Sequence, residues 1–348
     1  MMKRRLVLVP VAACAVVLAG CSSTLDPFAS APDVASAGGI PEPESTDAGF
    51  PLPEDAEIEY WGTVAADDID TDDLEGTLAP DDAEPAERVP EILERGRIRI
   101  GVDQAQNRLS YRNPLTGALE GFEVELGREI ARDIFGDPDA VDFRFVSSPE
   151  RTEVLRNDVV DLIIRTTTIT ADRQEEMQFS APYLEASTRM LVHENSGIED
   201  YSDLPGLRVC ASAGSTTLDR VRTLAPNSDI LKVTRWPDCL LALQQRQVEA
   251  IITDDTILAG IADQDPSTHI VGEPASNEHY GIAIRHPSDT EGTDAADGSA
   301  GLVRQVNDTL ERIDRDGTWQ RLYNEWFGGT LAHATMPAPD YREEPDDE

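Results

Sequence analysis

At 348 residues the chain has room for about two ordinary domains plus tails. A hydrophobic content of 40% is low enough that part of the length need not pack. The net charge of −38 opposes long-range attraction to nucleic acid or anionic lipid, which excludes both as electrostatic partners.

The first residues set the compartment. Lys3-Arg4-Arg5 precedes an apolar run from Leu6 to Ala19, a secretory signal too short for a comfortable membrane span. It ends in Leu18-Ala19-Gly20-Cys21, which resembles a bacterial lipobox. Residues 1–21 are therefore expected to be a lipoprotein signal, with Cys21 carrying the lipid and the mature protein tethered on the extracytoplasmic face of the cell membrane. A plain signal peptide cleaved elsewhere is the alternative. With Cys14 in the signal and Cys21 at the tether, Cys210 and Cys239 remain. Two cysteines in an oxidising compartment usually pair, and two buried free thiols are the other reading. Five scattered histidines, none close to either cysteine, give no metal-ligand spacing, and no cofactor is implied.

Residues 22–90 read as an acidic, disordered linker. From Pro41 to Glu91 eighteen acidic residues face the single base Arg88, with prolines throughout and no sustained apolar period. Ile58, Tyr60, Trp61 and Val64 are the exception, a candidate docking segment. The Pro-rich, acidic residues 331–348 read as a tail.

Order is expected from a short helix at Val89–Leu93, followed by the alternating strand Arg97–Val102. A helix opening at Gly121 places Leu126, Ile130 and Ile134 on one face, and Val141–Val146 is a strand. Next comes the stretch on which function turns. Val159–Ile164 is a short β-branched run suited to a buried parallel strand, and Ala171–Met177 has helix formers. Between them lies Arg165-Thr166-Thr167-Thr168-Ile169-Thr170, with Thr170 placed to cap the helix and Arg173 in its first turn. Unpaired N–H groups there form a weak anion site, and the Arg173 guanidinium offers a fork that fits a carboxylate. A surface loop with a solvated arginine is the bland alternative.

A second unit repeats the βαβ rhythm, with strands at Leu207–Ala211, Ile230–Thr234 and Val248–Thr253. Gly214-Ser215-Thr216-Thr217 leads one of its helices, and Asp254-Asp255 opens another. Tyr280–Arg285 is a strand, Asp289–Gly301 a solvated loop, and Leu302–Phe327 a helix.

Residues 91–329 resemble an extracellular solute-binding protein of the amino-acid type, family 3, the receptor class of polar amino-acid ABC importers. The signatures are Gly121-Phe122-Glu123-Val124-Glu125-Leu126, Thr168–Arg173, Phe179-Ser180-Ala181-Pro182-Tyr183, Ala213–Thr217, Thr253-Asp254-Asp255, Tyr280-Gly281-Ile282-Ala283, and Asp316-Gly317-Thr318-Trp319 running to Trp326-Phe327-Gly328. Within the family the chain looks most like the actinobacterial glutamate- and aspartate-binding lipoproteins of the GluB and GlnH type, whose cysteine pair Cys210 and Cys239 match. The resemblance implies a two-lobed α/β fold, the type II periplasmic-binding-protein arrangement with two hinge crossovers. Lobe 1 would be residues 91–186 plus 280–330, and lobe 2 residues 187–279. It implies a monomeric receptor for an acidic amino acid, glutamate or aspartate, that presents its ligand to an ABC permease. A sensor acting through a membrane partner on a cytoplasmic kinase is the first alternative. An enzyme that eliminates water from an acid on the same fold is the second, although no nucleophile with an adjacent base is present.

Carried over by position, Arg173 would hold the ligand α-carboxylate with Thr168, and the Ser215-Thr216 turn would add donors from lobe 2. Asp254 would pair with the α-ammonium, and Arg151 would face the side-chain carboxylate. Arg165 and Thr166 replace the small residues common before the threonines, Gln106 stands where many members have an aromatic lid, and Ser212 where some have lysine. Arg165 is either a second clamp on the ligand or the partner of Asp103, which unpaired would repel an acidic ligand.

Overall fold

The computed structural model describes residues 50–343 apart from 68, 72–73 and 290–292, and apart from the side chains of 293–297. The signal segment, the lipobox Cys21 and the first part of the acidic stretch lie outside these residues. In chain order the elements begin with β1 (Glu57–Glu59), α1 (Pro85–Arg88), α2 (Pro90–Arg95), β2 (Ile98–Val102), β3 (Ala105–Gln106), β4 (Ser110–Arg112), β5 (Leu119–Glu120), α3 (Phe122–Phe135) and β6 (Val141–Phe145). They continue with α4 (Arg151–Arg156), β7 (Leu162–Ile163), α5 (Ala171–Gln174), β8 (Met177–Phe179), β9 (Leu184–Ala186), β10 (Thr188–His193), β11 (Arg208–Ser212), α6 (Thr216–Leu224) and β12 (Asp229–Val233). The last are α7 (Trp236–Gln244), β13 (Ala250–Asp254), α8 (Asp255–Ala262), β14 (Thr268–Val271), β15 (Glu278–Tyr280), β16 (Ala283–Arg285), α9 (Thr293–Arg315) and α10 (Thr318–Phe327).

Two sheets organise two lobes. The first has the order β6-β2-β7-β16-β8, with β2 parallel to β6 and β7 and with β16 antiparallel to its neighbours. The second has the order β1-β12-β11-β13-β10-β14, with β11 parallel to β12 and β13. The central strands are almost wholly apolar: Ile98, Ile100 and Val102 in β2, and Ile251 and Ile252 in β13, are buried because helices cover both faces of each sheet. The chain crosses between the lobes on β9 and β15, which pair antiparallel with Tyr280 opposite Leu184 and Glu278 opposite Ala186. Two adjacent crossing strands make a hinge.

Cys210 on β11 and Cys239 on α7 form a disulfide with Cα atoms 5.6 Å apart, pinning helix to sheet in the second lobe. Closing a loop with a sequence separation of 29 contributes about 3 to 4 kcal/mol in the chain-entropy account.

The structure corrects three expectations. The acidic stretch is not a free spacer from residue 50 onward. β1 pairs antiparallel with β12, Leu78 is buried in the first lobe's core, and Arg88 is buried against Asp81 and Asp308. Charge and proline counts miss this because the partners are distant in sequence: Glu57 and Glu59 meet Lys232, and Glu59 meets Arg222. Of the four candidate docking residues, Ile58 packs on the core whereas Tyr60, Trp61 and Val64 are exposed. The tail packs too. Leu331, Ala334 and Met336 lie on the core, and Tyr341 bridges to Thr77 while its hydroxyl donates to Glu311 at 2.8 Å. Finally, helix runs through part of the expected loop, since α9 starts at Thr293, and the long helix expected to follow is broken at Gly317, whose φ of 78° favours glycine.

Candidate functional site

A narrow cleft lies between the lobes, lined by Ser148, Arg151, Thr166 and Arg173 from the first and by Ser215, Thr216, Trp236, Thr253 and Asp254 from the second. Its lobe 2 wall consists of three strand-to-helix junctions. β11 leads to α6 through Ser215, β12 to α7 through Trp236, and β13 to α8 through Asp254. All three lie at the carboxyl ends of parallel or central strands, where open α/β sheets place their ligands.

On the lobe 1 side the threonine turn is held in an unfavourable backbone state. Thr166 has φ of 38°, left-handed for a β-branched residue. The fully buried Glu123 holds it there by accepting the Thr166 N–H at 2.6 Å and the Tyr183 hydroxyl at 2.6 Å. Burial raises the Glu123 carboxyl above its ordinary value, and these two donors oppose that rise. Glu123 belongs to the quoted Gly121–Leu126 signature, but nothing in the local pattern reveals that it reaches the turn.

Thr170 caps α5 as expected, accepting the Arg173 N–H at 3.2 Å. The expected anion site at this helix start is narrowed. The Ala171 N–H donates to the Asp70 carbonyl at 3.1 Å, so two of the first-turn donors, those of Ala171 and Arg173, are already engaged. Anion binding in this wall therefore falls mainly to guanidinium groups. Arg173 donates to the Thr168 carbonyl at 2.8 Å and across the cleft to the Gly214 carbonyl at 3.3 Å. Arg151 donates to the Arg165 carbonyl at 3.1 Å and to Gly214 at 3.5 Å, and its buried Nε has no partner among the described residues. Neither cation forms an ion pair within the described residues. Burial lowers the Arg151 guanidinium well below its usual value, with the positive charges of Arg165 and Arg173 adding to the effect. Burial lowers Arg173 as well, opposed by Glu278 and Asp254.

Arg165 is the exception among the three arginines. It is wholly buried, donates to Asp103 at 2.6 Å and to the Ser148 hydroxyl at 2.5 Å, and neither it nor Asp103 lines the cleft. Of the two alternatives left open by the sequence, the structure contains the Arg165–Asp103 pair. Thr168 does not line the cleft either, but its hydroxyl lies at the interlobe seam, 3.4 Å from the Thr216 hydroxyl in the facing lobe. Ser215 caps α6, and its hydroxyl donates to the Ser212 carbonyl at 2.7 Å.

Asp254 faces the guanidinium groups from lobe 2. One of its oxygens accepts the Tyr280 hydroxyl, and Oδ1 has no partner among the described residues. Burial, reinforced by the negative Glu278, pushes its carboxyl up to about 7. A cation at this oxygen favours the ionised form, so affinity for a ligand whose cationic group sits there should be full above pH 7. Below that it should weaken by up to about tenfold per pH unit, with one proton taken up on release. For the ligand-free protein the sign is opposite, because the raised carboxyl binds its proton more tightly in the folded state and stability from this group is lost as pH rises from about 4 to 7. Titration calorimetry in buffers of different ionisation enthalpy checks the proton uptake.

Several functional residues escaped the sequence reading. Trp236 supplies the cleft's aromatic surface, whereas Gln106, at the position expected to carry an aromatic lid, is buried with its amide unpartnered. The position of Trp236 directly after an expected strand was a usable signal. Glu278, fully buried on the hinge strand and paired with Arg220 at 2.5 Å, left none. At another edge of the interlobe seam, Arg108 makes a two-pronged ion pair with Asp263, at 2.5 and 2.8 Å. Beside it a Cβ on Gly260 would come within 2.2 Å of the Asn107 carbonyl, so glycine is what permits the loop after β3 to close on α8.

Two α/β lobes joined by paired crossing strands, with polar groups of both converging on one cleft, define a hinged type II binding protein. The family description "Bacterial extracellular solute-binding proteins, family 3" matches residues 98–329, and the chain belongs to that family. It is similar to the ABC transporter glutamine-binding protein GlnH of Bacillus subtilis (strain 168), with 32% identity over 68% of this chain and 83% of that protein. It is 34% identical to the glutamate-binding protein GluB of Corynebacterium glutamicum (strain ATCC 13032), over 68% of this chain and 80% of that one. Among solved structures, an ancestral arginine-binding protein bound to glutamine superposes with a TM-score of 0.60 at 30% identity, covering 67% of this chain and 99% of that one. Among the described residues no helix is long and apolar enough to cross a membrane, and no group of side chains is arranged to hold a metal ion.

Proposed function

We propose that the chain is a lipid-anchored, extracytoplasmic receptor, tethered through Cys21, that binds glutamate or aspartate in the interlobe cleft and presents it to an ABC permease. The carrying observation is the charge balance of the cleft. Two guanidinium groups, the buried Arg151 and the half-buried Arg173, have no carboxylate partner among the described residues, and one carboxylate, Asp254, has an oxygen to spare. A zwitterion with a second carboxylate supplies two anions and one cation, the complement of that set. Arg173 would take the α-carboxylate, Asp254 the α-ammonium, Arg151 the side-chain carboxylate, and the Ser215-Thr216 turn and Thr166 would add neutral donors. The chain's charge of −38 repels anions at long range, but exposed charges are screened beyond about 8 Å, so the local pair governs. Relatives named for glutamate and glutamine binding support a receptor rather than an enzyme.

Thermal unfolding tests this reading. L-Glutamate or L-aspartate at a hundred times its dissociation constant should stabilise the protein by about 2.7 kcal/mol, a rise of roughly 5 to 10 °C. Lysine and arginine should give almost none, since they add cations to a cleft already in surplus. Equal shifts with basic amino acids would remove the acidic-ligand reading, and a larger shift with glutamine would replace it with an amide one.

A further inference from the structure

The segment preceding the family match grips both lobes, and it does so at two of the helices that carry cleft residues. On lobe 2, β1 adds to the sheet edge at β12, and the nearly buried Glu59 accepts from Arg222 Nε at 2.7 Å and Nη2 at 2.9 Å. Asp67 sits next in line, with its backbone N–H toward Asp219. Arg222 and Asp219 both belong to α6, the helix that begins at Ser215 and Thr216. On lobe 1, the Asp70 carbonyl accepts the Ala171 N–H at 3.1 Å, and Glu75 exchanges two bonds with the Gln174 side chain, at 2.9 and 2.6 Å. Ala171 and Gln174 are the first and last residues of α5, which bears Arg173. Thr77 and Leu78 then anchor the chain in the first lobe.

Between these grips, Asp67 and Ile69 line a vestibule of about 330 Å³ together with Thr170 and Arg173 of lobe 1 and Gly214 and Thr216 of lobe 2. No residue of the hinge strands β9 and β15 lines it. The segment thus ties the lobes at a place apart from the hinge and from the Arg108–Asp263 edge, and rotation about the hinge must either lengthen this connection or undock one end. The nine steps of chain from Trp61 to Asp70 reach about 30 Å when fully extended, which limits opening while both ends hold.

We propose that β1 and the stretch from Glu75 to Leu78 are the two ends of an interlobe strap that stabilises the closed state and slows release of the amino acid, with Glu59 and Gln174 as its positioning residues. The inference rests on the two-lobed fold and not on the acidity of the ligand.

Ile58→Asp combined with Glu59→Lys, in the full chain, puts a carboxylate against the core and a cation against Arg222 and Lys232, releasing β1 without touching the cleft. Small-angle scattering of the ligand-free variant should show a larger radius of gyration than the parent. Stopped-flow fluorescence should show L-glutamate leaving at least about tenfold faster, the size expected from losing one charge-assisted grip. Glu57→Cys with Lys232→Cys, register partners across the β1–β12 pair, tests the reverse: oxidation should slow release at least about threefold and reduction should restore it. Unchanged scattering and release while hydrogen exchange shows β1 detached would overturn the strap, as would a cross-linked variant that releases at the parental rate. Failure of L-glutamate to bind would count against the acidic-ligand reading alone, since the scattering and exchange measurements do not use it.

Discussion

Replacing Arg173 with alanine is expected to weaken L-glutamate binding by roughly a hundredfold to a thousandfold, the cost of truncating one partner of a desolvated, hydrogen-bonded charge pair. Stability of the ligand-free protein should hold or rise. The guanidinium lines the cleft with only carbonyl partners, Thr168 at 2.8 Å and Gly214 at 3.3 Å, and keeping a cation there is costly without an anion. Arg173→Lys keeps the charge but loses the fork that bonds Thr168, Gly214 and a carboxylate together, so it should fall between the parent and alanine. Titration calorimetry on the three proteins, with urea unfolding of each without ligand, separates lost binding from lost fold. An alanine variant binding within about threefold of the parent would show that the carboxylate is held elsewhere.

The sequence made some parts of this site legible because they obey local rules. Thr170 caps α5 since a hydroxyl before a helix start satisfies an orphan N–H, and Asp254 lies where a buried apolar strand runs out into a helix. The disulfide followed from compartment and count. What stayed hidden depends on partners far along the chain. Glu123 lies 43 residues from the turn it holds, and Glu59 lies 163 residues from Arg222. An acidic, proline-rich stretch looks unstructured until the bases that neutralise it are placed beside it. The anion site expected at α5 is narrowed for the same reason, since Asp70, 101 residues before Ala171 in sequence, takes one N–H that local reasoning left unpaired.

Asp103→Ala should cost about 3 to 5 kcal/mol of stability, because it leaves Arg165 charged, wholly buried and without an anion. Urea unfolding without ligand would register this as a lower midpoint at unchanged slope. Removing both charges, as Asp103→Leu with Arg165→Met, should recover most of that loss, because the desolvation of both ions disappears with the pair. The double variant should still bind L-glutamate about fivefold more weakly, the size of one hydrogen bond, because Arg165 also holds the Ser148 hydroxyl on the cleft wall at 2.5 Å. A ligand clamp predicts the opposite pattern. Were Arg165 to grip the amino acid directly, Arg165→Met alone would raise ligand-free stability and abolish binding, whereas a structural pair makes that single variant unstable by stranding Asp103. The sign of the ligand-free stability change therefore separates the two roles, and the 2.6 Å contact to Asp103 sets the expectation that it is negative.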